Sequence, residues 1–79
     1  MRPPTKKQIK VLRTLDRMSK EMSFAPTFQE LADRLGVHRN AIVCHVNSLS
    51  IKGLITKTNF KARAMLVSDA GREFLKERR

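Results

Sequence analysis

Pro26-Thr27-Phe28-Gln29-Glu30-Leu31-Ala32-Asp33-Arg34-Leu35-Gly36-Val37-His38-Arg39-Asn40-Ala41-Ile42-Val43-Cys44-His45-Val46-Asn47-Ser48-Leu49 consists of two short amphipathic segments joined at a glycine. Thr27 with Glu30 three residues later has capping-box spacing, in which the threonine hydroxyl accepts from a backbone amide and the glutamate reaches back. The spacing predicts a helix over about 28–35 with Leu31, Ala32 and Leu35 on its inner face. Gly36 stands where a helix end often needs a left-handed residue. Val37 is expected to drop into the core between the two helices, and His38 or Arg39 to open the next one. In that helix Ile42, Val46 and Leu49 fall four and three apart and anchor one face, while Arg39, Asn40, Val43, Cys44 and Asn47 lie on others. Gly53 ends it after Lys52. A helix meant only for water usually shows Lys and Glu on its outer faces, whereas small and amide side chains allow close approach to a groove floor. On a basic chain this pattern points to a helix-turn-helix, with charge to hold phosphates and a second helix to meet base edges.

Upstream, Pro3-Pro4 cannot belong to a helix interior, and Thr5-Lys6-Lys7-Gln8 has the spacing of another capping box. A first helix is predicted from there to about Met22, with Ile9, Leu12, Leu15, Met18 and Met22 inward beside Val11. Lys10, Arg13, Arg17 and Lys20 occupy its other faces, and its methionines are read as packing residues. Downstream, Leu54-Ile55-Thr56-Lys57-Thr58 and Ala64-Met65-Leu66-Val67 are β-leaning runs separated by Asn59-Phe60-Lys61-Ala62-Arg63, which suggests a hairpin. Phe60 at its tip is expected to fold back onto its own strands, with a minor-groove wedge as the alternative. Ser68 is placed to cap a last helix, with Asp69 in its first turn and Ala70, Phe74 and Leu75 as an apolar face. The expected fold is mainly α: a winged helix-turn-helix of three helices, a two-stranded wing and a C-terminal helix. Residues 1–79 form one domain in this reading, with 1–4 expected to be flexible.

The chain carries 17 Lys and Arg against 7 Asp and Glu, a formal charge of +10. Residues 1–20 contribute +6, 21–51 contribute −1, 52–67 add +4 and the last twelve add +1. The excess thus sits in the first helix and one later loop. A solvated basic face is the plain alternative, but self-repulsion on this scale is costly for a small fold and serves best when phosphates neutralise it. Nothing resembles a membrane span or a secretory signal, so the chain is expected to be cytoplasmic and nucleoid-associated. Its one cysteine, Cys44, agrees with a reducing compartment.

Catalysis and metal binding find little support in the residues. There is no glycine-rich phosphate loop, no Ser/His/Asp set and no paired inner carboxylates, and the expectation is a non-enzyme without cofactor or small-molecule ligand. His38 and His45 would stand about 10 Å apart along a helix, with Cys44 about 100° round from His45, so the three cannot close one tetrahedral site. Cys44 is read as a space-filling residue in preference to an oxidation sensor.

The chain resembles the amino-terminal DNA-binding domain of LexA repressors over roughly residues 5 to 67. The similarity rests on Thr5 and Gln8, Pro26-Thr27, Glu30, Ala32, Arg34-Leu35-Gly36, Asn40-Ala41, His45, Leu49, Lys52-Gly53 and Arg63. Val67-Ser68-Asp69-Ala70-Gly71-Arg72-Glu73-Phe74-Leu75 is more similar to MarR-like winged-helix regulators, where a like segment opens a packing or dimer-forming helix. Val43 and Cys44 replace acidic residues typical of the LexA recognition helix, which implies a different operator. The family's usual switch is self-cleavage, and no residues here are expected to perform it.

Chemistry and resemblance together imply a transcriptional regulator on double-stranded DNA, with a recognition helix of about 39–52 in the major groove. Arg39, Asn40, Ala41, Val43, Cys44 and Asn47 are the expected base readers, Arg39 toward guanine and Asn40 toward adenine. Phosphate binding is the alternative for Arg39 and helix capping for Asn40. Lys7, Thr27, Lys52, Lys57, Lys61 and Arg63 are the expected backbone and wing contacts, the wing spanning 57–63. Phe74 and Leu75 are a candidate homodimer surface, with packing against the first helix as the alternative. Two other readings remain open: a non-catalytic adaptor that binds a protein, and an RNA or ribosome binder.

Overall fold

Both capping boxes form and set where the helices begin. In the computed structural model, which describes residues 4–22, 26–57 and 65–77, the Thr5 amide donates to Gln8 Oε1 at 3.1 Å and the Gln8 amide to Thr5 Oγ1 at 3.2 Å. Helix α1 follows over Lys6–Met22. The second box is tighter, with Thr27 N donating to Glu30 Oε1 at 2.8 Å and Glu30 N to Thr27 Oγ1 at 3.0 Å. It opens α2, Phe28–Leu35. Gly36 ends α2 at φ 68°, and a Cβ there would meet nothing within 4 Å. Backbone conformation, not space, therefore calls for glycine.

Helix α3 spans Arg39–Ile51, after which Gly53 at φ 78° turns the chain into β1, Ile55–Lys57. Strand β2, Met65–Val67, pairs antiparallel with β1 in the register Ile55↔Val67, Thr56↔Leu66, Lys57↔Met65. Helix α4, Asp69–Glu77, closes the described fold. Ser68 caps it as expected, its Oγ accepting from Gly71 N at 3.0 Å and donating to the Gly53 carbonyl at 2.6 Å. This is the four-helix, one-hairpin winged architecture read from the sequence.

One core serves all these elements, and α1 lies at its centre, packed on α2, α3, β2 and α4. Leu12, Leu15, Leu31, Ile42, Val46 and Leu49 are wholly buried, joined by Val11, Met18, Ala32, Leu54, Ile55 and Val67. Each large member contributes about 1.5 to 3 kcal/mol through removal of apolar surface from water.

Two expected core residues are not in it. Ile9 is only half-buried, and the inner stripe of α1 runs instead through Gln8, Val11, Leu12, Leu15 and Met18. Gln8 is accommodated at the inward position because its Oε1 accepts from both Thr5 N and Lys52 Nζ. Val37 is 45% exposed. Its amide is tied back to Ala32 O at 3.1 Å by the left-handed turn, and the space between α2 and α3 is already filled by Leu31, Ala32, Ile42 and Val46. Phe74 and Leu75 pack, half-buried, against the common core, as the monomer alternative required.

Candidate nucleic-acid interface

Helix α3 decides what this surface can do. At about 100° per residue, burial of Ile42, Val46 and Leu49 turns Asn40, Cys44, Asn47 and Ile51 to the opposite side, and all four are exposed. They form a ridge without a formal charge. Ala41 and Val43 lie half-buried on its two flanks. Asn40 is the second residue of the helix and His38 is its N-cap, without a side-chain cap bond. Capping is therefore not the task of the Asn40 amide, which stands exposed at the leading end of the ridge.

Arg39 is held to one side. Its guanidinium carbon lies 5.7 Å from the centroid of the Phe28 ring, a cation–π arrangement across the α2–α3 crossing. Beside it Gln29, Asp33, Val37, His38, Arg39 and Asn40 line an open polar hollow of about 480 Å³. Gln29 Nε2 donates to Asp33 Oδ1 at 2.8 Å across its edge. The hollow leaves Arg39 next to the first turn of α2, where Thr27 and Glu30 close their box. That box engages the amides of Thr27 and Glu30, so an incoming phosphate would be offered those of Phe28 and Gln29.

At the other end Lys52 Nζ donates to Gln8 Oε1 at 3.0 Å, joining the C-cap of α3 to the start of α1. The neutral amide does not compensate the ammonium charge, and among the described residues no ion pair does. Lys7 is exposed on the adjoining turn of α1. It and Lys10 rim a groove of about 240 Å³ whose walls include Val11, Leu35, Val37, Ala41 and His45. Lys57 enters by its backbone in β1, while Lys61, Arg63 and Phe60 lie outside the described residues.

Ile51 was missed in the residue reading. At 80% exposure it extends the ridge by an apolar end, and the signal was available: it lies half a turn round from Ile42. Among the described residues no three His, Cys, Asp or Glu side chains gather to hold a metal ion, and no helix is long and apolar enough to cross a membrane.

The arrangement is an uncharged ridge on a core-anchored helix, with Lys7, Lys52 and Arg39 at its margins. A family model described as the LexA DNA binding domain matches residues 1–64. The chain belongs to that family. Among its relatives are LexA repressors of Anaeromyxobacter sp. (strain Fw109-5), 31% identical over 72 residues, and of Anaeromyxobacter dehalogenans (strain 2CP-1), 29% identical over 72 residues. Each alignment covers 90% of this chain but only 31% and 32% of the respective relative. The chain thus spans about a third of the length of these curated LexA repressors. The LexA match covers both capping boxes, the Gly36 turn, α3 and β1.

Proposed function

We propose that this LexA-like domain is a sequence-specific, double-stranded-DNA-binding transcriptional regulator that acts by binding alone, in the cytoplasm on the nucleoid. The observation that carries the reading is the exposed, uncharged face of α3 opposite its fully buried one, in a domain of charge +10. B-form DNA admits a helix to its major groove, where Asn40 meets adenine and Ala41, Val43, Cys44 and Ile51 meet thymine methyls, with Asn47 farther along the same face. Arg39, stacked on Phe28, is better placed for the neighbouring phosphate or an outer guanine than for the centre of the site. Lys7, Thr27 and Lys52 then fix the register on the backbone, and the wing with Lys57, Lys61 and Arg63 reaches the adjacent groove or strand. A-form RNA closes its major groove to a helix, so the ridge favours DNA over RNA.

A second copy would raise discrimination, because one module of this size covers only about 600 to 1,000 Å². The half-buried Phe74 and Leu75 offer such a copy the outer part of α4. The test is selection of bound duplexes from a random pool, followed by Asn40→Ala and Lys52→Ala measured on the selected and on random sequence. Asn40→Ala is expected to lower affinity for the selected duplex about 5- to 150-fold, the equivalent of about 1 to 3 kcal/mol, and to leave random DNA nearly unchanged. Lys52→Ala weakens both alike and reduces the salt slope. Equal losses on both sequences for Asn40→Ala, or tighter binding of duplex RNA, would refute the proposal.

A further inference from the structure

Helix α1 breaks two electrostatic rules at once. Its first turn holds Lys6 and Lys7 and no acid, although the positive end of a helix dipole disfavours cations. Lys6, Lys10, Arg13, Arg17 and Lys20 then follow at alternating four- and three-residue steps, the spacing that makes side chains neighbours on a helix. Every adjacent pair in this series carries like charge, and each such pair is unfavourable on an isolated helix. Among the described residues the one acid paired to the series is Asp16, 3.1 Å from Lys20. Glu21 is turned to Arg34 at 3.2 Å.

The series is opposite the buried face. With Gln8, Val11, Leu12, Leu15 and Met18 inward, the five cations fall within about 45° of the direction pointing straight out of the core. All are exposed, and Lys6, Lys10, Arg13 and Arg17 stand round a shallow hollow of about 430 Å³ lined also by Ile9 and Thr14. From Lys6 to Lys20 the stripe runs about 21 Å. The stripe begins beside the ridge, where Lys10 borders the groove walled by Ala41 and His45, and Arg13, Arg17 and Lys20 carry it on along α1 beyond that groove. A straight duplex seated on the ridge would meet the stripe at Lys10 and leave Arg13, Arg17 and Lys20 for a second one.

We propose that the outer face of α1 is a second polyanion surface that takes the phosphate backbone of another DNA duplex, so that the domain bridges two segments. The composition of the stripe favours nucleic acid over an acidic protein. Protein interfaces are anchored by buried aromatic and apolar side chains, and here the apolar member is a half-buried isoleucine. Phosphate binding needs cations alone, and released counterions drive it. Placement at a site of local electrostatic conflict fits a surface relieved by its ligand. The inference rests on the DNA-binding reading above and extends it to a separate face.

The test uses the full chain, a bead-tethered duplex carrying the selected site and a labelled random duplex free in solution. Binding to the tethered site is measured first, and its failure would remove the underlying reading independently of the bridge. The wild type is expected to capture the labelled duplex. Arg13→Glu with Arg17→Glu should reduce capture at least tenfold while affinity for the selected site changes less than threefold. The Arg13→Lys, Arg17→Lys pair should capture like the wild type. Because the glutamates relieve like-charge repulsion on an exposed face, the doubly reversed protein should melt no lower than the parent. Unchanged capture in the reversed variant, as a dimer with two recognition helices would give, overturns the proposal. So does a parallel loss of site affinity, which would place the stripe on the first duplex. Absence of capture by the wild type, together with stripe-dependent binding of poly-glutamate, overturns it in favour of an acidic protein.

Discussion

Replacing Gly71 by alanine sets two physical effects against each other. Gly71 lies in the first turns of α4, where alanine is favoured by about 0.5 to 1 kcal/mol through backbone entropy. The fold opposes this gain. Gly71 is buried, and a Cβ there would run into the carbonyl oxygen of Leu54 and come within 2.8 Å of Val67 Cγ1. The carbonyl cannot retreat cheaply, since it already accepts from Ser68 N at 3.1 Å at the root of the hairpin. Overpacking of this kind costs about 1 to 3 kcal/mol, more when the obstacle is backbone. The net is a destabilisation of about 2 kcal/mol, which in a domain of this size lowers Tm by about 8 to 16 °C. Thermal and urea unfolding followed by circular dichroism measure it, with an unchanged urea m-value expected. A Gly71→Ala protein as stable as the parent, or more so, would show that helix propensity outweighs the close approach of α4 to Leu54.

Other substitutions probe the remaining supports. Leu49→Ala, at a wholly buried position of α3, should cost about 2 to 5 kcal/mol, enough to unfold much of so small a domain, as urea titration would register. Thr27→Ala removes the acceptor for Glu30 N and should cost about 1 kcal/mol; Thr27→Ser should restore it, and no difference between the two in Tm would discount the cap. Gln8→Ala severs the partners of both Thr5 N and Lys52 Nζ and should lower stability by about 1 to 2 kcal/mol, measured against Lys52→Met, which loses only one of the two bonds.

The residue pattern revealed most where the physics is local. Both capping boxes, the glycine turn, the anchored face of α3 and the serine cap of α4 depend on residues within four positions of each other, and all appear as read. Readings that depended on crossing geometry fared less well. Val37 was sent inward because it is apolar, yet apolar residues are not obliged to be buried, and the turn holds it outside. Gln8 lies on the same face as Leu12 and Leu15 by helical spacing and Ile9 does not, but a polar residue is not read as core without its partner Lys52, 44 residues away. The stacking of Arg39 on Phe28 likewise required the angle between α2 and α3. The exposed ridge was legible as a set of faces, although Ile51 at its end was overlooked.

The Ser68 hydroxyl gives the hairpin a fixed root. It bonds the Gly53 carbonyl and the Gly71 amide together, while Leu54 N reaches back to Leu49 O at 2.9 Å. The last turn of α3, the Gly53-Leu54 segment that leads into β1 and the opening of α4 are thereby riveted into one joint. The distance between what α3 touches and where the strands depart thus acts as a built-in ruler. On the proposed DNA-binding function, a target would be measured by its spacing along the duplex as much as by its letters, and any displacement of α4 would be felt at the C-terminal end of α3.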